Sequence, residues 1–106
     1  MIEIKIYKTK TEKSPFIIWR DNLDSKARGV VRTRLERVRL GNFGDVKSLK
    51  DGVYELRIDF GSGYRIYFGK QGRSIIILLV GGDKRSQKRD IEKAKEYWQN
   101  CKDKNE

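Results

Sequence analysis

Apolar and polar residues alternate at the start of the chain. Ile2, Ile4 and Ile6 fall on one side, Glu3, Lys5 and Tyr7 on the other. A period of two predicts a half-buried strand. The period then changes. Ser14-Pro15 reads as a helix N-cap followed by proline at the first helical position, opening a short helix over about 15–22 that buries Phe16 with Trp19 or Ile18. Asp24 or Ser25 caps a longer helix reaching Leu40, in which Ala27, Val31, Leu35 and Val38 recur on one face. Gly41 is its stop.

Residues 41–52 contain three glycines, follow neither period and read as a loop. Alternation then returns in VYELRIDF and YRIYFGK. Tyr54, Leu56, Ile58 and Phe60 form one apolar row; Tyr64, Ile66 and Phe68 form another. The rows share a face only if the connecting loop has an odd number of residues, so Gly61-Ser62-Gly63 is expected to be a three-residue loop. The opposite face then carries Glu55, Arg57, Asp59, Arg65 and Tyr67 as a polar platform. Gln71-Gly72 is a turn. Residues 74–80 are apolar on both faces, as in an interior strand, and Gly81-Gly82 is expected to end it. Ser86 is placed as the cap of a last helix over about 87–99, with Ile91, Ala94 and Trp98 inward. The predicted order is β-α-α-β-β-β-α. This is an α+β domain over residues 1–100, mainly antiparallel, with helices packed on one face and a polar tail at 101–106.

Composition narrows the chemistry. The length of 106 residues suits one domain. The chain has 25 Lys or Arg against 15 Asp or Glu, a formal charge of +10, no histidine and one cysteine, Cys101. A histidine triad, an imidazole base and a Cys-rich zinc site are therefore excluded. No run approaches the ~18 apolar residues of a membrane helix, and MIEIKIYK lacks a signal-peptide core. A cytoplasmic protein without a membrane partner is expected. The positive excess favours a polyanion, most often nucleic acid.

Part of that charge is placed by the pattern. Arg57 and Arg65 share the polar face, and Lys84 and Arg85 lie in the strand-end loop beside it. Lys47 and Lys50 border the site from the glycine-rich loop. Arg28 and Arg32 make the second helix basic, and Tyr67 is the one aromatic on the polar side. Such a site can bind phosphates and stabilise charge developing on them. The plainer alternative is a solvated face on which Arg57 and Arg65 pair with Asp59 and Glu55. Asp45, Asp51, Asp59, Asp83 and Asp90 are scattered among cations, so no metal and no cofactor are expected. RNA offers a metal-free route, since its 2′-hydroxyl can attack the neighbouring phosphate if the strand is aligned and the charge neutralised. The proton acceptor is Asp90 or a lysine of lowered pKa. The glycines of GSGYR lack the strand-to-helix setting of a phosphate loop and read as turn residues.

Four segments in order resemble the RelE/ParE superfamily of bacterial toxins, in its HigB-like, phage-derived "addiction module killer" branch. They are 40–47 (LGNFGDVK), 52–58 (GVYELRI), 63–68 (GYRIYF) and 78–91 (LLVGGDKRSQKRDI). The resemblance implies a RelE-like fold and a helix-turn-helix antitoxin of the HigA or Xre type. It also implies cleavage of mRNA on the ribosome without metal, leaving a cyclic phosphate. By the same resemblance Arg65 matches a catalytic arginine and Arg57 a basic position. Lys84 or Arg85 matches a further catalytic arginine. RelE carries a lysine where this chain has Glu55, and Asp90 lies near the place of its C-terminal tyrosine. A ribosome-dependent endoribonuclease toxin is the leading expectation. A ParE-type gyrase inhibitor and a non-catalytic nucleic-acid-binding accessory protein are the alternatives.

Overall fold

A computed structural model describes residues 1–104. The elements are β1 (Glu3–Ile6), α1 (Pro15–Asp21), α2 (Ser25–Arg39), β2 (Val46–Ser48), β3 (Val53–Ile58), β4 (Tyr64–Gln71), β5 (Ile75–Asp83), a 3-10 turn (Lys84–Ser86) and α3 (Gln87–Lys104). One five-stranded sheet has the order β1-β5-β4-β3-β2. It is mixed: β1 runs parallel to β5, and the other neighbours are antiparallel. The class is α+β. Among the described residues no helix is long and apolar enough to cross a membrane.

The first two helices begin where their caps stand. Ser14 Oγ accepts from the backbone N–H of Ile17 at 3.3 Å, and Asp24 Oδ1 accepts from that of Ala27 at 2.8 Å. The expected loop at 41–52 contains β2. It is a three-residue edge strand with a single apolar side chain, too short for a period to register, and β3 supplies its partners. The hairpin loop has five residues, 59–63, because Ile58 pairs with Tyr64. Phe60 is taken into a turn closed by the Gly63 N–H on the Phe60 carbonyl at 3.0 Å. Three and five are both odd, so the two apolar rows still share a face.

The helices cover both faces of the sheet, not one. On one side α1 and α2 bury Phe16, Val31 and Val38 against Leu56, Ile58, Ile66, Phe68, Ile76 and Leu78. On the other, α3 buries Ala94 and Trp98 against Val53, Tyr67, Ile77 and Leu79, together with Tyr7. The second core explains two differences from the sequence reading. Tyr7 is buried and stacks on Tyr97 at 5.2 Å, and two of the five residues of the expected polar platform, Glu55 and Tyr67, are buried on the α3 side. It also explains why β5 is apolar on both faces.

Strand glycines allow this close packing. Gly81 and Gly82 do not end β5; they lie inside it. A Cβ on Gly81 would collide with the Trp19 ring, one on Gly82 with the Asp90 carboxylate, and one on Gly69 with the Trp98 ring. The strand ends at Asp83, which caps the 3-10 turn by accepting from the N–H groups of Arg85 and Ser86. Ser86 is thus the reciprocal partner in a capping box, not the cap. Helix α3 continues through Cys101, which packs at the margin of the second core, to Lys104. It therefore extends past residue 100, where the polar tail is expected to begin; residues 105–106 lie outside those described.

These contacts give opposite expectations for two glycines. Gly69→Ala forces a methyl group into the Trp98 ring and should lower stability by roughly 1–3 kcal/mol. Gly29, in α2, has nothing within 4 Å of its Cβ position, so Gly29→Ala should raise stability by about 0.5–1 kcal/mol through helix propensity. Urea unfolding midpoints check both. An unshifted midpoint for Gly69→Ala would contradict the seating of α3 on the sheet.

Candidate nucleic-acid interface

The central feature is a cross-strand pair of like charges. Arg57 on β3 and Arg65 on β4 stand directly opposite each other, an arrangement that is destabilising unless an anion intervenes. Glu55 is that anion. It precedes Arg57 by two residues and so shares its face. Arg57 Nε donates to Glu55 Oε1 at 2.8 Å, and Arg65 Nε lies 3.7 Å from Oε2. From the first turn of α3, Gln87 Nε2 donates to Oε2 at 3.0 Å. Tyr67 faces Glu55 across the ladder, its buried hydroxyl beside the carboxylate without a hydrogen bond of ordinary geometry. Arg65 is also held by donation from Nη1 to the Gly63 carbonyl at 3.1 Å.

Burial and charge work against each other here. Glu55 has no solvent exposure. Burial alone would raise its carboxyl. The hydrogen bonds from Arg57 and Gln87, the adjacent Tyr67 hydroxyl and the charge of Arg57 overcome this and hold it below its ordinary value. Burial pushes the Tyr67 phenol well above its usual value, and Glu55 adds to the effect. The hydrogen bond to Glu55 raises the Arg57 guanidinium further. The ionised carboxylate is therefore a fixed negative base plate under two guanidinium groups. The side chain of Arg57 is 38% exposed and that of Arg65 13%, so both remain reachable from solvent.

The pairing of β4 with β5 brings the strand-end turn alongside. Tyr64 is opposite Asp83 and Arg65 opposite Gly82. Lys84 and Arg85 follow at once and are exposed; Arg85 Nη2 donates to Asp83 Oδ2 at 3.2 Å. Asp90 sits one turn into α3 over Gly82, only 7% exposed, and accepts a short 2.5 Å hydrogen bond from Ser86 Oγ. Arg57, Arg65, Lys84, Arg85 and Asp90 are thus gathered at one end of the sheet.

The other candidates are placed differently. Tyr67 is fully buried, because α3 covers the platform it was expected to share with solvent; it supports Glu55 from within. Lys47 is exposed on the edge strand, opposite Glu55 in register. Lys50 is at the other end of β3, in a left-handed turn with φ 71°. Arg28 and Arg32 lie on α2, across the sheet from α3. Arg28 donates to the Leu23 carbonyl at 2.9 Å, while Arg32 lines a cleft that also contains Arg57. Two contributors were missed as site residues. Glu55 is visible in the alternation, but nothing in the sequence shows its complete burial. Gln87 carries no signal at all. Among the described residues no three His, Cys, Asp or Glu side chains come together as a metal-binding group.

Two guanidinium groups over a buried carboxylate, with a lysine and an arginine in the adjoining turn, have the donor chemistry that phosphate oxygens accept from. Comparison with known proteins agrees with a shared lineage. Over 74 residues the chain is 51% identical to an uncharacterized protein of Haemophilus influenzae, covering 70% of this chain and 73% of that protein. Residues 19–99, which hold α2, the arginine pair and most of α3, match the family described as phage-derived protein Gp49-like (DUF891). The chain belongs to this Gp49-like family, a RelE-like toxin family.

Proposed function

We propose that this protein is the toxin of a toxin–antitoxin pair and cleaves mRNA on the ribosome by metal-independent attack of a 2′-hydroxyl on the adjacent phosphate. The observation that carries the reading is the arginine pair held on Glu55. Arg57 and Arg65 meet the non-bridging oxygens, whose charge grows as the 2′-oxygen bonds to phosphorus and the 5′-oxygen departs. Donors fixed before the reaction need no reorganisation as that charge develops. Lys84 or Arg85 adds positive charge from the turn. Asp90, reached through Ser86, is the carboxylate assigned to the 2′-hydroxyl proton, and the departing 5′-oxygen takes up a proton from water. The products are a 2′,3′-cyclic phosphate and a 5′-hydroxyl. The membership of a toxin family supports an antitoxin partner, for which we assign the HigA or Xre type.

On induction of the gene alone, incorporation of labelled amino acid should stop before incorporation of labelled thymidine. The reverse order, with DNA-damage signalling first, would favour a gyrase inhibitor. Neither effect, with tight RNA binding, would mark a non-catalytic accessory protein.

A further inference from the structure

A second basic feature lies outside the Glu55 cluster. Between α2 and the sheet edge runs an open cleft lined by Lys26, Arg32, Arg34, Arg37 and Arg57, five cations against two carboxylates, Asp45 and Asp59. The fold itself gains nothing from this imbalance, since like charges repel. Arg34 shows the cost most clearly. Its Nη2 reaches the Asp45 and Arg57 carbonyls only at 3.4 and 3.5 Å, and its Nη1 is buried without a hydrogen-bond partner. Burial and the neighbouring charge of Arg37 hold its guanidinium below the usual arginine value. Gly44, with φ 64°, folds the chain closely over this group; a Cβ there would meet Arg34 Nη2 at 2.7 Å. An anion entering the cleft would relieve the repulsion among these cations.

The cleft is continuous with the arginine pair through Arg57. The pairing of β2 with β3 stops at Val46 and Leu56. Arg57 is therefore at the open edge of the sheet, with its N–H on the Asp45 carbonyl at 2.9 Å, and belongs to both features. Arg32 and Arg37 are five residues apart on α2, roughly 7.5 Å along its axis, so successive groups of an extended anion can be met in turn.

We propose that this cleft is a second phosphate-binding site, which holds the sugar–phosphate backbone of single-stranded RNA beside its crossing of Arg57 and Arg65. The assignment rests on the RNA-directed reading of the arginine pair and extends it to the neighbouring nucleotides. The strand passes over the sheet edge at Arg57 and continues along α2. Arg32 and Arg37 meet phosphates from the exposed side, and Arg34 holds the floor.

The test is fluorescence anisotropy with a 2′-O-methyl RNA of about 12 nucleotides, a length within the site sizes of single-strand binders. Its blocked hydroxyl prevents cleavage. Arg32→Gln combined with Arg37→Gln is compared with Lys10→Gln combined with Lys93→Gln, an equal reduction of charge on exposed residues elsewhere. The cleft variant should bind on the order of tenfold more weakly, with a salt slope shallower by about 1.4 between about 50 and 200 mM, roughly 0.7 for each phosphate no longer neutralised. The control should keep the wild-type slope. Unchanged affinity and slope in the cleft variant, or equal weakening in both variants, would overturn the assignment. Wild-type protein that binds through the cleft yet leaves cellular mRNA intact would overturn the nuclease reading alone. Wild-type protein that cleaves mRNA while the cleft variant binds normally would overturn the cleft alone.

Discussion

Glu55→Ala is expected to cost about 3–5 kcal/mol of stability, as breaking a buried ion pair does. The loss falls mainly on Arg65. Arg57, at 38% side-chain exposure, can turn into solvent when its anion is removed; Arg65, at 13%, cannot do so fully. Gln87 would lose its acceptor as well. Glu55→Gln keeps the shape and one acceptor, so its loss should be smaller but its pH signature clear. The folded carboxyl is held below its ordinary value. The unfolded state therefore binds the proton first as pH falls. The contribution is present in full above the ordinary carboxylate pKa, about 4.3, and declines as pH falls through that value toward the folded one. Urea midpoints at neutral and acidic pH read this directly. The wild-type midpoint should drop more steeply with acid than that of Glu55→Gln. Parallel drops would show that Glu55 is not the linked group.

Arg65→Ala is expected to abolish growth arrest while the protein stays folded. Removing one preorganised donor from a developing oxyanion costs about 10²–10³ in rate. Glu55 would keep its hydrogen bonds from Arg57 and Gln87, so the buried carboxylate would not be stranded. Arg65→Lys retains charge but loses the planar fork, and should recover only part of the toxicity. Growth curves after induction, with circular dichroism of the purified variants, separate lost function from lost fold. Full toxicity of Arg65→Ala would contradict the assignment of this arginine.

The fold is legible where one period runs for several residues next to a cap or a glycine. Ser14-Pro15, Asp24 and the row Ala27, Val31, Leu35 and Val38 set the first two helices to within a residue or two. Parity places Arg57 and Arg65 on one face although the expected loop is two residues too short, because parity survives a shift of two. What the pattern misses is tertiary. The row Glu55, Arg57 and Tyr67 reads as solvent-facing by polarity alone. Only the seating of α3, made possible by Gly69 and Gly82, shows that Glu55 and Tyr67 are buried while the arginines are not. β2 escapes notice because three residues with one apolar side chain carry no period. In the sequence Glu55 stands either as an ordinary ion-pair partner or as a departure from RelE. Its geometry makes it the anchor that lets two arginines stand opposite each other.

The central claim is that the arginine pair drives cleavage of mRNA, and the most direct measurement is the mapping of mRNA ends in cells after induction. Wild-type protein should create new internal ends within coding regions, 5′-hydroxyl on one side and 2′,3′-cyclic phosphate on the other, and Arg65→Ala should create none. Growth arrest by the wild-type protein with cellular mRNA left intact would contradict the account.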